Sequence, residues 1–295
     1  MRRAGLPPPV GARYFQQKKL FFDKGSVFPT SSIIYHRGTT LAYVLKIKGV
    51  IICFLIAVVI TALSLSAYYS GAYAVYFGST VRKLPIYSVG TEEKVVSLSF
   101  DCAWGTDHTD AILSALEREN VTATWFMVEF WTEKYPDYVS KISQAGHEIG
   151  THSATHSYMS RLGADEIKSE LTSSSEAITS VTGKAVELFR PPYGDYDDEL
   201  ITAAEELGLF TIQWDVDSLD WKDLSANDIA MRVINAVQPG SIILMHNNGL
   251  HTAESLPIII STLKNRGYEF RPIGEMIYRT DYTLDSNGRQ QLTSR

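Results

Sequence analysis

Cysteine is nearly absent: the 295-residue chain has two, Cys53 within an apolar run and Cys102 far downstream. That excludes a disulfide-stapled scaffold and a four-cysteine zinc site, and no intramolecular bridge is expected. Positive charge is scarce as well, with 27 Lys and Arg against 33 Asp and Glu and a formal net charge of -6. No basic stripe follows residue 90, which argues against a general nucleic-acid binder, because phosphate contacts need an excess of Lys and Arg. Internal repeats and Gly/Ser-rich linkers are also missing. What is present is a hydrophobic content of 45%, enough for one catalytic-sized domain with a sizeable core.

The basic residues are unevenly placed. Residues 1–49 hold Arg2, Arg3, Arg13, Lys18, Lys19, Lys24, Arg37, Lys46 and Lys48 against one acid, Asp23, and read as a basic leader. Val50–Ala67 (VIICFLIAVVITALSLSA) is then uncharged over about the length that crosses a bilayer. With the aromatic-rich stretch after it, residues 50–77 are expected to be a transmembrane helix or signal anchor. Positive charge on the N-terminal side keeps that side in the cytoplasm and exports the remainder. Ala72-Tyr73-Ala74 has the form of a cleavage site. The expected location is therefore the cytoplasmic membrane with the folded domain outside it, or secretion if the segment is cleaved; the length of the apolar run favours the anchor. Residues 78–93 read as a linker, 94–279 as the folded domain and 280–295 as a polar tail.

From Lys94 onward, strand-like runs alternate with helical ones. Lys94–Asp101, Val121–Val128, His147–Thr151, Val186–Phe189, Phe210–Asp215, Ser241–Met245 and Tyr268–Arg271 have strand character. Between them, Thr109–Arg118, Pro136–Gln144, Ala164–Val181, Glu199–Leu207, a Ser225-capped stretch to Val237 and Ser255–Asn265 have helical character. About seven such units predict an α/β fold, a distorted (β/α) barrel of seven to eight units, with a doubly wound parallel sheet as the alternative. Barrels place their chemistry at the C-terminal ends of strands. Asp101, His152, Arg190, Asp215 with Asp217, and His246 all fall at or just after such ends.

Within that set, Gly146–His156 (GHEIGTHSATH) carries His152 and His156 four residues apart, a spacing that lets two imidazoles address one divalent cation. Taken alone, the pair could equally be two polar loop histidines.

Five segments in order, from about Lys94 to Tyr278, resemble the motifs of the polysaccharide deacetylases of carbohydrate esterase family 4. Ser99-Phe100-Asp101-Cys102 matches T-F-D-D-G in part, and His152-Ser153-Ala154-Thr155-His156 matches H-[ST]-x-x-H in full. Arg190-Pro191-Pro192-Tyr193, Asp217-Ser218-Leu219-Asp220-Trp221 and Leu244-Met245-His246 correspond to the third, fourth and fifth motifs. The resemblance implies that Asp101 is the catalytic base, oriented by Arg190, and that His246 is the general acid. It implies that Asp220 pairs with Arg190, that Tyr193 supplies a backbone N–H to the oxyanion, and that Trp221 and Leu244 line the acetyl pocket. It also implies a divalent metal on His152 and His156, zinc first, with cobalt, nickel or manganese as alternatives.

Those residue types suit amide hydrolysis independently of the resemblance. Such chemistry needs an activated water, a stabilised oxyanion and a proton for the departing amine.

The family's metal-binding second Asp is replaced by Cys102. A thiolate is a competent zinc ligand; the alternatives are that Asp107 or His108 approaches the ion, that water fills the position, or that Cys102 is a buried filler. The S-F-D-x-x-W-G form is similar to a subgroup with sporulation and cell-wall roles. The expected activity is removal of N-acetyl groups from amino sugars of a cell-wall polysaccharide, peptidoglycan foremost, with the wall glycan and the membrane as partners and no nucleic acid. Acetyl-xylan ester hydrolysis, and a glycan-binding wall protein that has lost turnover through Cys102, are the other readings.

Overall fold

The computed structural model describes residues 36–69 and 82–293, and the chain divides into two compact units at Ser79 and Thr80. In the first, α1 (His36–Tyr69) is one continuous helix. Its stretch Lys46–Ser66, with a mean hydropathy of 2.7, is long and apolar enough to cross a membrane. The helix begins before the apolar run, so the end of the basic leader is helical. The rest of the leader, residues 1–35, and the Ala72–Ala74 cleavage form lie outside the described residues.

The second unit runs β1 (Ser88–Val89), β2 (Val95–Cys102), α2 (Thr109–Arg118), β3 (Thr124–Met127), α3 (Glu129–Lys134), α4 (Pro136–Gln144), β4 (Glu148–Thr151) and α5 (Ala164–Thr182). It continues with β5 (Leu188–Phe189), α6 (Asp198–Glu206), β6 (Phe210–Thr211), β7 (Val216–Asp217), α7 (Ala226–Ala236), β8 (Ser241–His246) and α8 (Thr252–Asn265). It ends with β9 (Glu269–Phe270), α9 (Ile273–Met276), β10 (Tyr282–Leu284) and β11 (Arg289–Leu292).

The strands form one mixed sheet in the order β10-β11-β1-β8-β2-β3-β4-β5-β6, with β7 on β8 and β9 on β2. β2 is central and parallel to both β3 and β8. Past β6, Ile86 bridges Ile212, and Ile86 leads into β1, which pairs antiparallel with β8. The sheet therefore curls back on itself, which makes a distorted barrel of it and not an open doubly wound sheet. The segments read as linker and tail both supply strands, since β11 lies parallel to β1 and antiparallel to β10. The sequence hides them because β1 has two residues and Arg-Gln-Gln-Leu in β11 lacks apolar alternation. Helix α3 is likewise a finding: the apolar run through Val128 continues into Glu129-Phe130-Trp131, which periodicity does not separate from a strand.

Side-chain parity along β2 sets up the site. Val96, Leu98, Phe100 and Cys102 join the main core with Ile112 and Leu116 of α2, Val233 of α7 and Ile259 and Leu263 of α8. Complete burial of a Leu or Phe contributes about 1.5–3 kcal/mol, so this register is strongly held. The alternate residues Ser97, Ser99 and Asp101 must then point to the other face.

Candidate active site

Asp101, buried at the end of β2, meets Arg190, which follows β5 and is fully enclosed. Arg190 donates from one terminal nitrogen to Asp101 Oδ1 (2.8 Å), and from the other to Ser99 Oγ (2.8 Å) and the Gln213 carbonyl (3.2 Å). Its guanidinium lies 4.2 Å from the centroid of the Phe126 ring. Burial would raise the Asp101 pKa, but the charges of Arg190, His152 and His246 and the Arg190 hydrogen bond outweigh it and hold the carboxyl below its usual range. Asp101 is therefore an ionised carboxylate at neutral pH, with Oδ2 left to face His152 Nε2 at 3.6 Å.

His152 follows β4, and its Nδ1–H donates to the Arg190 carbonyl at 2.7 Å. That bond fixes the tautomer and leaves a lone pair on Nε2. His156 lies with its ring centroid 5.0 Å from that of His152, and its buried Nδ1 has no hydrogen-bond partner among the described residues. Burial lowers the pKa of both rings, that of His156 to about 4 with the nearby His152 adding to the effect. Both are neutral imidazoles at pH 7.

Opposite them, His246 ends β8 and Asp220 occupies the loop after β7. Asp220 Oδ1 accepts from His246 Nδ1 at 2.8 Å, while Oδ2 accepts from the His246 backbone N–H (2.8 Å) and the Thr252 hydroxyl (2.6 Å). Burial pulls the His246 pKa down, but the Asp220 hydrogen bond and charge, aided by Asp101 and Asp217, outweigh it and raise the pKa. The expected Asp220–Arg190 pair is thus corrected. Both terminal nitrogens of Arg190 are taken by Asp101, Ser99 and Gln213, and Asp220 is the partner of His246.

Asp101, His152, His156, Tyr193, Trp221, Leu244 and His246 line one cavity of about 630 Å³. Trp104, Asn247 and Asn248 line it too and were not foreseen; their position just past the ends of β2 and β8 was the available signal. Ser153, His156, Tyr193, Leu219 and Asp223, all in loops around the cavity, have positive φ, a clustering of backbone strain common at functional sites. Asp215 is not part of the site: it accepts from Ser241 Oγ and the Ile242 N–H, both at 2.8 Å, at the start of β8. Asp107 and His108 do not line the cavity.

Cys102 is not brought to the cavity either. Its sulfur lies in the apolar core, because it alternates with Asp101 on β2. Burial first, and then the Asp101 charge, raise its thiol pKa well above the usual value, which disfavours the thiolate a metal would need. The two histidines do fit a divalent cation, being neutral, with one tautomer fixed and one buried nitrogen unpartnered. Among the described residues no group of three or more His, Cys, Asp or Glu side chains is arranged to hold a metal.

Known proteins resemble the chain in sequence and fold. Residues 88–212 match the family described as polysaccharide deacetylase. The chain is 32% identical over 213 residues to the peptidoglycan-N-acetylmuramic acid deacetylase PdaA of Bacillus subtilis, covering 70% of this chain and 81% of PdaA. To the uncharacterized protein YlxY of the same organism it is 32% identical over 196 residues, covering 66% of this chain and 61% of YlxY. The crystal structure of BA3943 from Bacillus anthracis, a CE4 family pseudoenzyme, superposes with a TM-score of 0.64 at 34% identity, over 67% of this chain and 71% of that one. A mutant of BA3943 with restored enzymatic activity has also been solved. The chain belongs to the polysaccharide deacetylase family.

Proposed function

We propose that this protein is a metal-dependent hydrolase that removes N-acetyl groups from amino sugars of peptidoglycan, working outside the cytoplasmic membrane on an N-terminal anchor. The observation that carries the reading is the convergence of two dyads on one cavity, Asp101 with Arg190 and Asp220 with His246, with Asp101 and His246 side by side at the ends of adjacent strands. The catalytic unit is read as residues 94–279, with the flanking strands completing its sheet.

A divalent metal on His152 and His156, zinc first, would polarise the acetyl carbonyl as a Lewis acid. Asp101 takes a proton from the attacking water, whose oxygen bonds to the carbonyl carbon, and Arg190 holds the carboxylate in position. The backbone N–H of Tyr193 donates to the oxyanion. His246 passes its Nε2 proton to the departing nitrogen as the C–N bond breaks, giving acetate and a free amino sugar. Trp221 and Leu244 enclose the methyl group.

A second reading is favoured by Cys102. With a thiol in the core at the place of the second acid, and with a pseudoenzyme among its relatives, the chain also suits a glycan-binding wall protein with weak or no turnover. Acetate release from peptidoglycan and N-acetylglucosamine oligomers, with and without added metals, separates the two. Release by wild type and its loss in Asp101→Asn supports the hydrolase. Release by Cys102→Asp alone, with glycan retained by wild type, supports the binding protein.

A further inference from the structure

The histidine pair sits on a backbone that would not hold itself. Ser153 at φ 71 and His156 at φ 57 are both left-handed without being glycine, a conformation that costs on the order of 1–3 kcal/mol per residue. Part of the restraint is local: the His156 N–H donates to Ser153 Oγ (3.1 Å), and the Ser153 N–H to Thr151 Oγ1 (3.2 Å).

The Glu129 N–H also donates to the Ser153 carbonyl (3.1 Å), and three further bonds come from one side chain on another element. Glu170, on α5, accepts at Oε2 from the backbone N–H groups of Ala154 (2.9 Å) and Thr155 (2.8 Å). Its Oε1 accepts from the Thr155 hydroxyl at 2.8 Å. Both carboxylate oxygens are thereby committed to the stretch between the two histidines. Such charge-assisted bonds to backbone N–H groups are among the stronger ones in a protein. Glu166, one turn earlier on α5, is a contrast: among the described residues it accepts only from the Gly163 N–H at the helix start (3.1 Å).

We propose that Glu170 is a positioning residue that fixes His156 relative to His152 and so sets the affinity of the pair for a divalent cation. The cation half of this rests on the hydrolase reading above; the loop-fixing half does not. Ala at 170 removes all three bonds while keeping high helix propensity. Gln at 170 is the conservative variant: its oxygen can accept both N–H groups, and its NH2 can donate to the Thr155 hydroxyl, which also accepts.

The test uses the whole chain in detergent, with Glu170→Ala, Glu170→Gln and, as a control, Glu166→Gln. Amide hydrogen exchange is read at Ala154 and Thr155, and zinc and cobalt affinities by calorimetry. In Glu170→Ala the two amides lose protection while those of α5 keep theirs, and the cation Kd rises about 10–100-fold, the usual cost of removing a group that orients a ligand. Glu170→Gln restores most of both, and Glu166→Gln moves neither. Unchanged amide protection in Glu170→Ala, or exposed amides with an unchanged Kd, overturns the proposal. If wild type binds neither cation, the metal reading and the cation half fall together, while the exchange data still decide whether Glu170 fixes the loop.

Discussion

His152 and His156 on one wall of the cavity, and His246 on the other, are the same residue type in opposite electrostatic settings. The first two are desolvated and, among the described residues, have no carboxylate hydrogen-bonded to either ring, so they stay neutral. His246, with its side chain 30% exposed, donates to the fully buried Asp220 and holds its proton more tightly than a free imidazole. The difference teaches that protonated and neutral histidines in one cavity are separated by their neighbours and not by residue type, which suits the proposed roles of acid and ligands. Asp101 serves both sides. Its charge supports the proton on His246 and on His152, yet at His152 burial wins because the guanidinium of Arg190 offsets the carboxylate.

The largest way to break the contrast is Asp101→Asn, which removes the proposed base and, among the described residues, the one carboxylate on a fully buried guanidinium. Activity should fall about 10²–10⁴-fold, and stability by about 3 kcal/mol. Acetate release and denaturant unfolding check the two effects, and a variant of undiminished activity would exclude Asp101 as the base.

Next, Asp220→Asn leaves His246 in place without its charge partner. In the proposed mechanism His246 is the acid and must be protonated, so the wild-type rate is expected to fall as pH rises through its raised pKa. The variant should lose activity about 10–100-fold at neutral pH, with this alkaline limb displaced to lower pH. A pH–rate profile whose limb does not move would separate His246 from the proton transfer.

A smaller effect concerns stability against acid. Burial lowers the pKa of His147 and His156 from 6.5 to about 4, so below about pH 6.5 the unfolded chain takes up protons that the native one refuses. Stability should fall from about pH 6.5 to 4 through these two groups. The His246 pairing acts in the other direction: its contribution is complete below about 6.5 and is lost as pH rises through the raised folded pKa. Denaturation midpoints across pH 4 to 8, with His147→Phe reducing the acid loss, measure this.

The smallest effect is at Cys102. Cys102→Ala should cost about 1 kcal/mol and leave cation affinity unaltered. Bound cobalt should show no thiolate charge-transfer band in the wild-type protein; such a band would place the sulfur on the metal.

What the amino-acid sequence determined by itself is the set of elements and the order of the motifs. The eight-residue β2, the amphipathic α5 ending at Gly183, and the Ser225 cap accepting from the Asp228 N–H follow from local periodicity and capping. So does the coincidence of Asp101, His152, Arg190 and His246 with strand ends. What only the tertiary structure decided is partnership. Whether Asp220 meets Arg190 or His246 depends on which strand ends are adjacent, and β7 lies beside β8. The two-residue strands β1 and β7 are too short for a periodic signal and exist because neighbouring backbone completes their hydrogen bonds. Glu170 reaches the histidine loop only because α5 packs against β4 and α3. Adjacent in sequence, Asp101 and Cys102 lie on opposite faces of one strand, and the core on the helix side, by claiming Phe100 and Cys102, directs Asp101 to the cavity.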